Sequence, residues 1–159
     1  MSTVEEQFLA RAIALATQNV YDGGGPFGAL IVTPDGRAFE GANRVTANND
    51  PTAHAEVMAI RNACSSLGTF DLTGCTLYTS CEPCPLCLAA ALWARVDSIS
   101  FAADRHDAAK AGFDDAVFYE FFEAPVAERS MQVRQMELPD SASAEPFRAW
   151  ADLPDRIDY

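Results

Sequence analysis

Asp50-Pro51-Thr52-Ala53-His54-Ala55-Glu56 opens the stretch that decides the fold, and Cys81-Glu82-Pro83-Cys84-Pro85-Leu86-Cys87 closes it. One imidazole and two thiols, His54, Cys84 and Cys87, form a ligand set that suits zinc and leaves a fourth tetrahedral position open. A zinc with three protein ligands holds a catalytic water, and the metal lowers the pKa of that water to about 7. Glu56 is the nearby carboxylate that shuttles protons. The expected cofactor is therefore one Zn2+ per chain.

Local signals give this stretch a shape. Asp50 before Pro51 reads as an N-cap and first-turn pair, which predicts a helix over 51–67. His54 and Glu56 are two residues apart and diverge on a mid-helix surface, but they converge where the helix end faces the site. Cys84 before Pro85 predicts a second helix over 85–94, with Cys84 and Cys87 spaced i, i+3 on one face. Both helix starts carry partial positive charge, which favours thiolates. Between them, residues 75–80 read as a strand that Cys81 terminates. A closed four-ligand site including Cys81, an iron–sulfur cluster on Cys81, Cys84 and Cys87, and a metal-free buried Cys-x-x-Cys are the competing readings. The first two leave Glu56 at this spacing unexplained, and Cys81 is read as a pocket-wall or core residue.

Working outward, residues 3–20 carry Phe8, Ala12, Ile13 and Leu15 at helical spacing. Tyr21-Asp-Gly-Gly-Gly-Pro then breaks the chain, and lacks the following Lys and helix of a phosphate cradle. Residues 27–33 and 37–41 read as a hairpin turning at Asp35-Gly36. After the metal stretch, 97–102 is a strand, 105–123 holds short helices, 131–138 alternates weakly as a last strand, and 145–152 is a short helix. Strands alternating with helices imply parallel neighbours joined by right-handed crossovers. The expected fold class is α/β: three layers, α/β/α, around a mixed, mostly five-stranded sheet. His106, the second histidine, reads as a surface or capping residue.

At 159 residues the chain suits one domain, 1–159, with 140–159 as a C-terminal tail. The net charge of −12, with Lys110 the single lysine, argues against a phosphate backbone as partner. No nucleic acid and no membrane are expected as partners, since no apolar run approaches the ~20 residues of a span. Glu5 and Glu6 sit where a signal peptide would be positive. Five cysteines, clustered around the metal motif, fit a reducing, cytoplasmic location better than a disulfide scaffold.

The His-x-Glu … Pro-Cys-x-x-Cys spacing is the signature of zinc base deaminases. Further runs are Gly25-Pro-Phe-Gly-Ala29, Asn49 to Glu56, Tyr78 to Cys87, Trp93-Ala-Arg95, Asp107-Ala-Ala109, Ala111-Gly-Phe-Asp-Asp115, Pro146-Phe147 with Trp150, and Tyr159. With these the chain resembles the cytidine deaminase-like superfamily, and more closely its bacterial guanine deaminase branch. The zinc motif specifies the superfamily; Gly112-Phe-Asp-Asp115 and the terminal Tyr point to the branch. The resemblance implies the same fold and the hydrolysis of guanine to xanthine plus ammonia, with zinc-activated water attacking C2 and Glu56 as shuttle. Cytosine, aminated triazines, pterins and guanosine share the amidine-like carbon and stay open as substrates. A tRNA adenosine deaminase and a non-catalytic zinc module are the remaining alternatives.

Substrate contacts are read more thinly. Asn43 offers one donor and one acceptor to a purine edge, or serves as a turn asparagine; the resemblance favours the first. Phe27 stacks on the ring or packs in the core. Of Asp114 and Asp115, one is an N-cap; the resemblance gives Asp115 to the purine ring and leaves Asp114 the cap. Trp93, on the helix after the cysteines, is expected to wall the pocket. The resemblance also implies a homodimer whose C-terminal segments swap, with Tyr159 closing the partner's site.

Overall fold

The computed structural model describes residues 2–159, with the side chains of 139–141 left aside. Backbone contacts divide the chain into two compact units, Met1–Tyr119 and Glu120–Tyr159.

The first unit opens with α1 (Val4–Tyr21), started by a capping box. The Thr3 hydroxyl accepts from Glu6 N, and Glu6 accepts from Thr3 N. Next come β1 (Gly28–Val32), β2 (Ala38–Ala42), the single turn α2 (Val45–Asn48), α3 (Ala55–Leu67), β3 (Thr76–Cys81), α4 (Pro85–Trp93), β4 (Ser98–Ala103) and α5 (Arg105–Lys110); α6 (Ala116–Glu123) begins in this unit and ends in the next. The sheet runs β2-β1-β3-β4. The β1–β2 hairpin is antiparallel, as is β1–β3, and β3–β4 is parallel because α4 carries the chain back.

Strand β1 is buried on both faces. Ala29 and Ile31 point to a cluster with Ala55, Ala59, Ile60 and Ala63 of α3, Leu77 of β3 and Ala91 of α4. Leu30 and Val32, with Tyr78, point the other way, toward Phe8, Leu9 and Leu15 of α1. That alternation makes three layers, with α1 on one side of the sheet and α3 and α4 on the other. The core against α3 is mostly alanine, so this helix lies close to the sheet. At Gly41 of β2, a Cβ would run into the Ala55 carbonyl and the Ala59 amide.

Three expectations change. The sheet has four strands, not five, among the described residues, and 132–138 forms no strand. Its apolar residues Met131, Val133, Met136 and Leu138 break the two-residue period between 133 and 136, so no continuous face exists to bury. The helix expected from Pro51 begins at Ala55 instead, with His54 as N-cap. Asp50 is spent on a local turn, accepting from Thr52 N at 2.8 Å and from the Thr52 hydroxyl at 2.7 Å. The turn α2 was not foreseen.

The second unit holds α7 (Glu145–Asp152), matching the expected 145–152 helix, and two short 3-10 segments. Within it Arg129 lies over Phe121, 5.1 Å from the ring centroid. Trp150 and Tyr159 meet edge-on with centroids 6.3 Å apart. Among the described residues no helix is long and apolar enough to cross a membrane.

Candidate metal centre and substrate cavity

Two helix starts face each other. His54 is the N-cap of α3 with extended backbone (φ −68°, ψ 154°), and Cys84 is the N-cap of α4 in the same conformation (φ −69°, ψ 169°). Neither side chain caps its own helix. Both break the Ser/Thr/Asp/Asn preference at this position because their side chains turn toward each other instead. Pro85 at the first helical position keeps Cys84 extended. Cys87 follows in the first turn of α4, and Glu56 in the first turn of α3. Two helix dipoles thus point their positive ends into one site.

The three donors form a tight triangle. His54 Nδ1 lies 3.5 Å from Cys84 Sγ and 3.4 Å from Cys87 Sγ, and the two sulfurs are 3.7 Å apart. A tetrahedral zinc with ordinary bond lengths puts two sulfurs about 3.8 Å apart and a sulfur and nitrogen about 3.6 Å apart. The residues present therefore fit zinc, and the soft sulfur–imidazole donor set selects it. Cys81 stands apart from the triangle. It is buried at the end of β3, and its thiol points to the Asp104 carbonyl at 3.7 Å. Burial pushes the Cys81 thiol up to about 11, so it stays protonated. Among the described residues, the group that could hold a metal ion is His54, Cys84 and Cys87.

Charge in the triangle is uneven before metal binds. Hydrogen bonding with Cys87, and then with His54, draws Cys84 down to about 4 against the opposing effect of burial. Cys87 is held up, by its hydrogen bond with Cys84 and by burial. His54 is raised by its bond to Cys84. The site is thus one acidic thiol beside an imidazole, and a cation bound there would displace the remaining thiol proton to solvent.

Glu56 is 5% exposed. Its Oε1 accepts from the Thr79 hydroxyl at 3.2 Å, and Oε2 lies 3.3 Å from Cys87 Sγ. Burial raises its pKa above the usual carboxylate value. A carboxyl raised in this way holds a proton more readily than an exposed one.

A cavity of about 560 Å³ opens onto this centre. His54, Glu56, Cys81 and Cys84 form its floor. Asn43 and Phe27 line it, with Asp114, Asp115 and Phe113 from the segment between α5 and α6. Asn43 is a turn asparagine that also lines the cavity: its Oδ1 accepts from Val45 N at 3.3 Å to start α2. Its backbone carbonyl accepts from Asn19 Nδ2 at 2.9 Å, and the same amide donates to Gly25 O at 2.8 Å. Asn19 therefore ties the glycine turn to the cavity wall. Phe27 packs against the core and also meets Phe113 edge-on, with centroids 4.9 Å apart. Asp114 is a cap, accepting from Ala116 N at 3.0 Å. Burial raises the pKa of Asp115. His106 is exposed.

Trp93 is a correction. It is 69% exposed and does not line the cavity. Nine residues separate it from Cys84, about 13 Å along the axis and half a turn round, so the helix carries it to the far end and opposite face. Tyr159 packs on Trp150 within the second unit.

Sequence reading missed three residues. Glu82 and Arg105 line the cavity as an ion pair, and Tyr119 stacks on that arginine at 4.0 Å. The pair spans 23 positions, a distance at which no local spacing rule operates.

Residues 2–103 match the family described as "Cytidine and deoxycytidylate deaminase zinc-binding region". The chain is 50% identical over 155 residues to the guanine deaminase of Bacillus subtilis (strain 168), spanning 97% of this chain and 98% of that one. An X-ray structure of guanine deaminase from Bacillus subtilis superposes with a TM-score of 0.93 at 48% identity, covering 100% of this chain and 99% of the other. A guanine deaminase structure from Nitrosomonas europaea matches with a TM-score of 0.67 at 32% identity, covering 73% and 67%.

Proposed function

The chain belongs to the zinc-binding cytidine and deoxycytidylate deaminase family, and on that premise we propose that it is a zinc-dependent guanine deaminase, converting guanine and water to xanthine and ammonia. One observation carries the reading: a three-donor triangle of zinc dimensions has a buried carboxylate beside it, in a chain that matches a guanine deaminase almost end to end. Zinc held by His54, Cys84 and Cys87 supplies Lewis acidity that makes a water nucleophilic near neutral pH.

The chain's own residues do the rest. Glu56 takes a proton from the water as its oxygen adds to C2 and delivers that proton to the adjacent ring nitrogen; it then takes the second proton from the added oxygen and gives it to the amine, which departs as ammonia. The Thr79 hydroxyl on Oε1 keeps the carboxyl in one orientation through both transfers. Asn43 Nδ2 donates to the purine edge, Asp115 accepts from ring N–H groups, and Phe27 packs on the ring. The cavity suits a free base better than a nucleotide, because the guanidinium on its wall, Arg105, is already paired with Glu82. The net charge of −12 likewise disfavours a tRNA substrate.

The same proposal includes a cytoplasmic homodimer in which the C-terminal tail crosses between protomers and Tyr159 covers the partner's cavity. Five free cysteines support the reducing setting. Ammonia release from guanine, adenine, cytosine, cytidine and guanosine tests the substrate. Guanine is expected to be fastest; faster turnover of cytosine or cytidine would overturn the guanine reading and leave the metal chemistry intact.

A further inference from the structure

Cys84 stands between two prolines, Pro83 and Pro85, and so has little conformational freedom of its own. What sets its direction is the preceding peptide plane. The Pro83 carbonyl, the Cys84 amide and the Cys84 Cα are coplanar, so a group that holds this carbonyl holds the Cα of the ligand. That group is the Tyr119 hydroxyl, which donates to Pro83 O at 3.2 Å.

Tyr119 is itself held. The Arg105 guanidinium lies over its ring at 4.0 Å from the centroid. Arg105 is held by Glu82: Nε and Nη2 donate to Oε1 at 3.0 and 2.6 Å, while the Arg105 backbone N–H donates to Oε2 at 3.0 Å. Glu82 N donates to the Ala103 carbonyl at the end of β4 at 2.8 Å, and Glu82 precedes Pro83 in the chain. The contacts close on themselves: Glu82 to Arg105, Arg105 to Tyr119, Tyr119 to Pro83, Pro83 back to Glu82. The loop joins the metal-bearing turn to α5 and α6, the segment that brings Asp115 to the cavity.

We propose that Glu82, Arg105 and Tyr119 form a clasp that fixes the Pro83–Cys84 peptide and thereby positions the Cys84 ligand and the Asp115 segment together. All three are positioning residues, since none is among the metal donors or the groups assigned to the base. The inference rests on the deaminase reading for the role of Asp115, and on geometry alone for the role of Cys84. Arginine is required at 105 because a lysine cannot donate from two nitrogens to one carboxylate oxygen and stack on a ring at once. Groups that orient a ligand in this way change metal affinity by about 10–100-fold when removed.

The test uses the full-length zinc enzyme and its cobalt-substituted form. Tyr119→Phe removes one hydroxyl and keeps the ring, and Arg105→Lys keeps the charge. Zinc transfer to a chromogenic chelator is timed, the visible thiolate-to-cobalt absorption is recorded, and kcat and KM for guanine are measured. We expect both variants to release zinc about tenfold or more faster than the parent, with a shifted cobalt spectrum and unchanged far-UV circular dichroism. Folded variants with parental release and parental spectra would overturn the clasp. Metal release and spectra are read without substrate, so inactivity toward guanine bears on the substrate reading and leaves this one standing. If Arg105→Lys does not fold, Tyr119→Phe decides the matter.

Discussion

Gly41→Ala is a methyl group placed where helix α3 meets the sheet. The added Cβ would overlap the Ala55 carbonyl and the Ala59 amide and lie 2.9 Å from Ala59 Cα, whereas ordinary contact begins near 3.4 Å. All three obstacles are backbone, so no rotamer change relieves them, and α3 must withdraw by about 1 Å. Overpacking of this kind costs about 1–3 kcal/mol, which for a chain of this size lowers Tm by roughly 3–10 °C. The functional effect follows from position. Ala55 lies between His54 and Glu56, so the displaced turn is the one that carries a metal ligand and the proton shuttle. A 1 Å misplacement of reacting groups costs about 10²-fold in rate. We therefore expect kcat/KM for guanine to fall about 10²-fold and zinc to be lost to a chelator faster than from the parent. Gly28→Ala is the control. Its Cβ meets Ala12 O at 2.5 Å and Ala16 N at 2.6 Å, so it displaces α1 on the opposite face of the sheet. It should cost similar stability and leave zinc release unchanged. A Gly41→Ala enzyme with parental Tm and parental rates would refute the close approach of α3. Equal zinc loss in both variants would refute the link from Gly41 to the metal centre.

Glu56→Gln keeps the shape and the Thr79 hydrogen bond, so zinc by elemental analysis should stay near one per chain while deamination falls by at least ~10²-fold. Cys81→Ser should retain full zinc, because its sulfur faces the Asp104 carbonyl; loss of metal would return Cys81 to the ligand set. The Asp50 carboxyl is held below its ordinary value of 3.8, first by the Thr52 hydroxyl and then by the Thr52 amide. A lowered folded-state value means that the turn before His54 is fully formed above pH 3.8 and loosens as pH falls through the lowered value. The Thr52 amide NMR shift should titrate with a midpoint below 3.8, and a midpoint at or above it contradicts the hydrogen bonds. Finally, mixing a Glu56→Gln chain with one lacking 156–159 should restore activity in mixed dimers; no gain in proven mixed dimers means that Tyr159 does not act across an interface.

His54, Cys84 and Cys87 could be picked out from the sequence as a zinc-type donor set by residue type and spacing, and the structure brings the three together with Glu56 beside them. The parallel β3–β4 pair and the three-layer order followed from the alternation of strands and helices in the same way. The boundary of α3 was misread by four residues, since an Asp-Pro pair marks a turn as readily as a helix start, and only the fold spends Asp50 on Thr52. The fifth strand failed because its apolar residues break the two-residue period between Val133 and Met136, which leaves no continuous face to bury. Trp93 was misplaced although its nine-residue separation from Cys84 means, on a helix, the far end and the opposite face. Residues that act at long range left no trace in the sequence: the Glu82–Arg105–Tyr119 clasp joins positions 23 and 36 apart. Local periodicity and capping are short-range physics and are written along the chain, whereas a hydrogen bond between distant residues exists only once burial of the sheet has brought their backbones together.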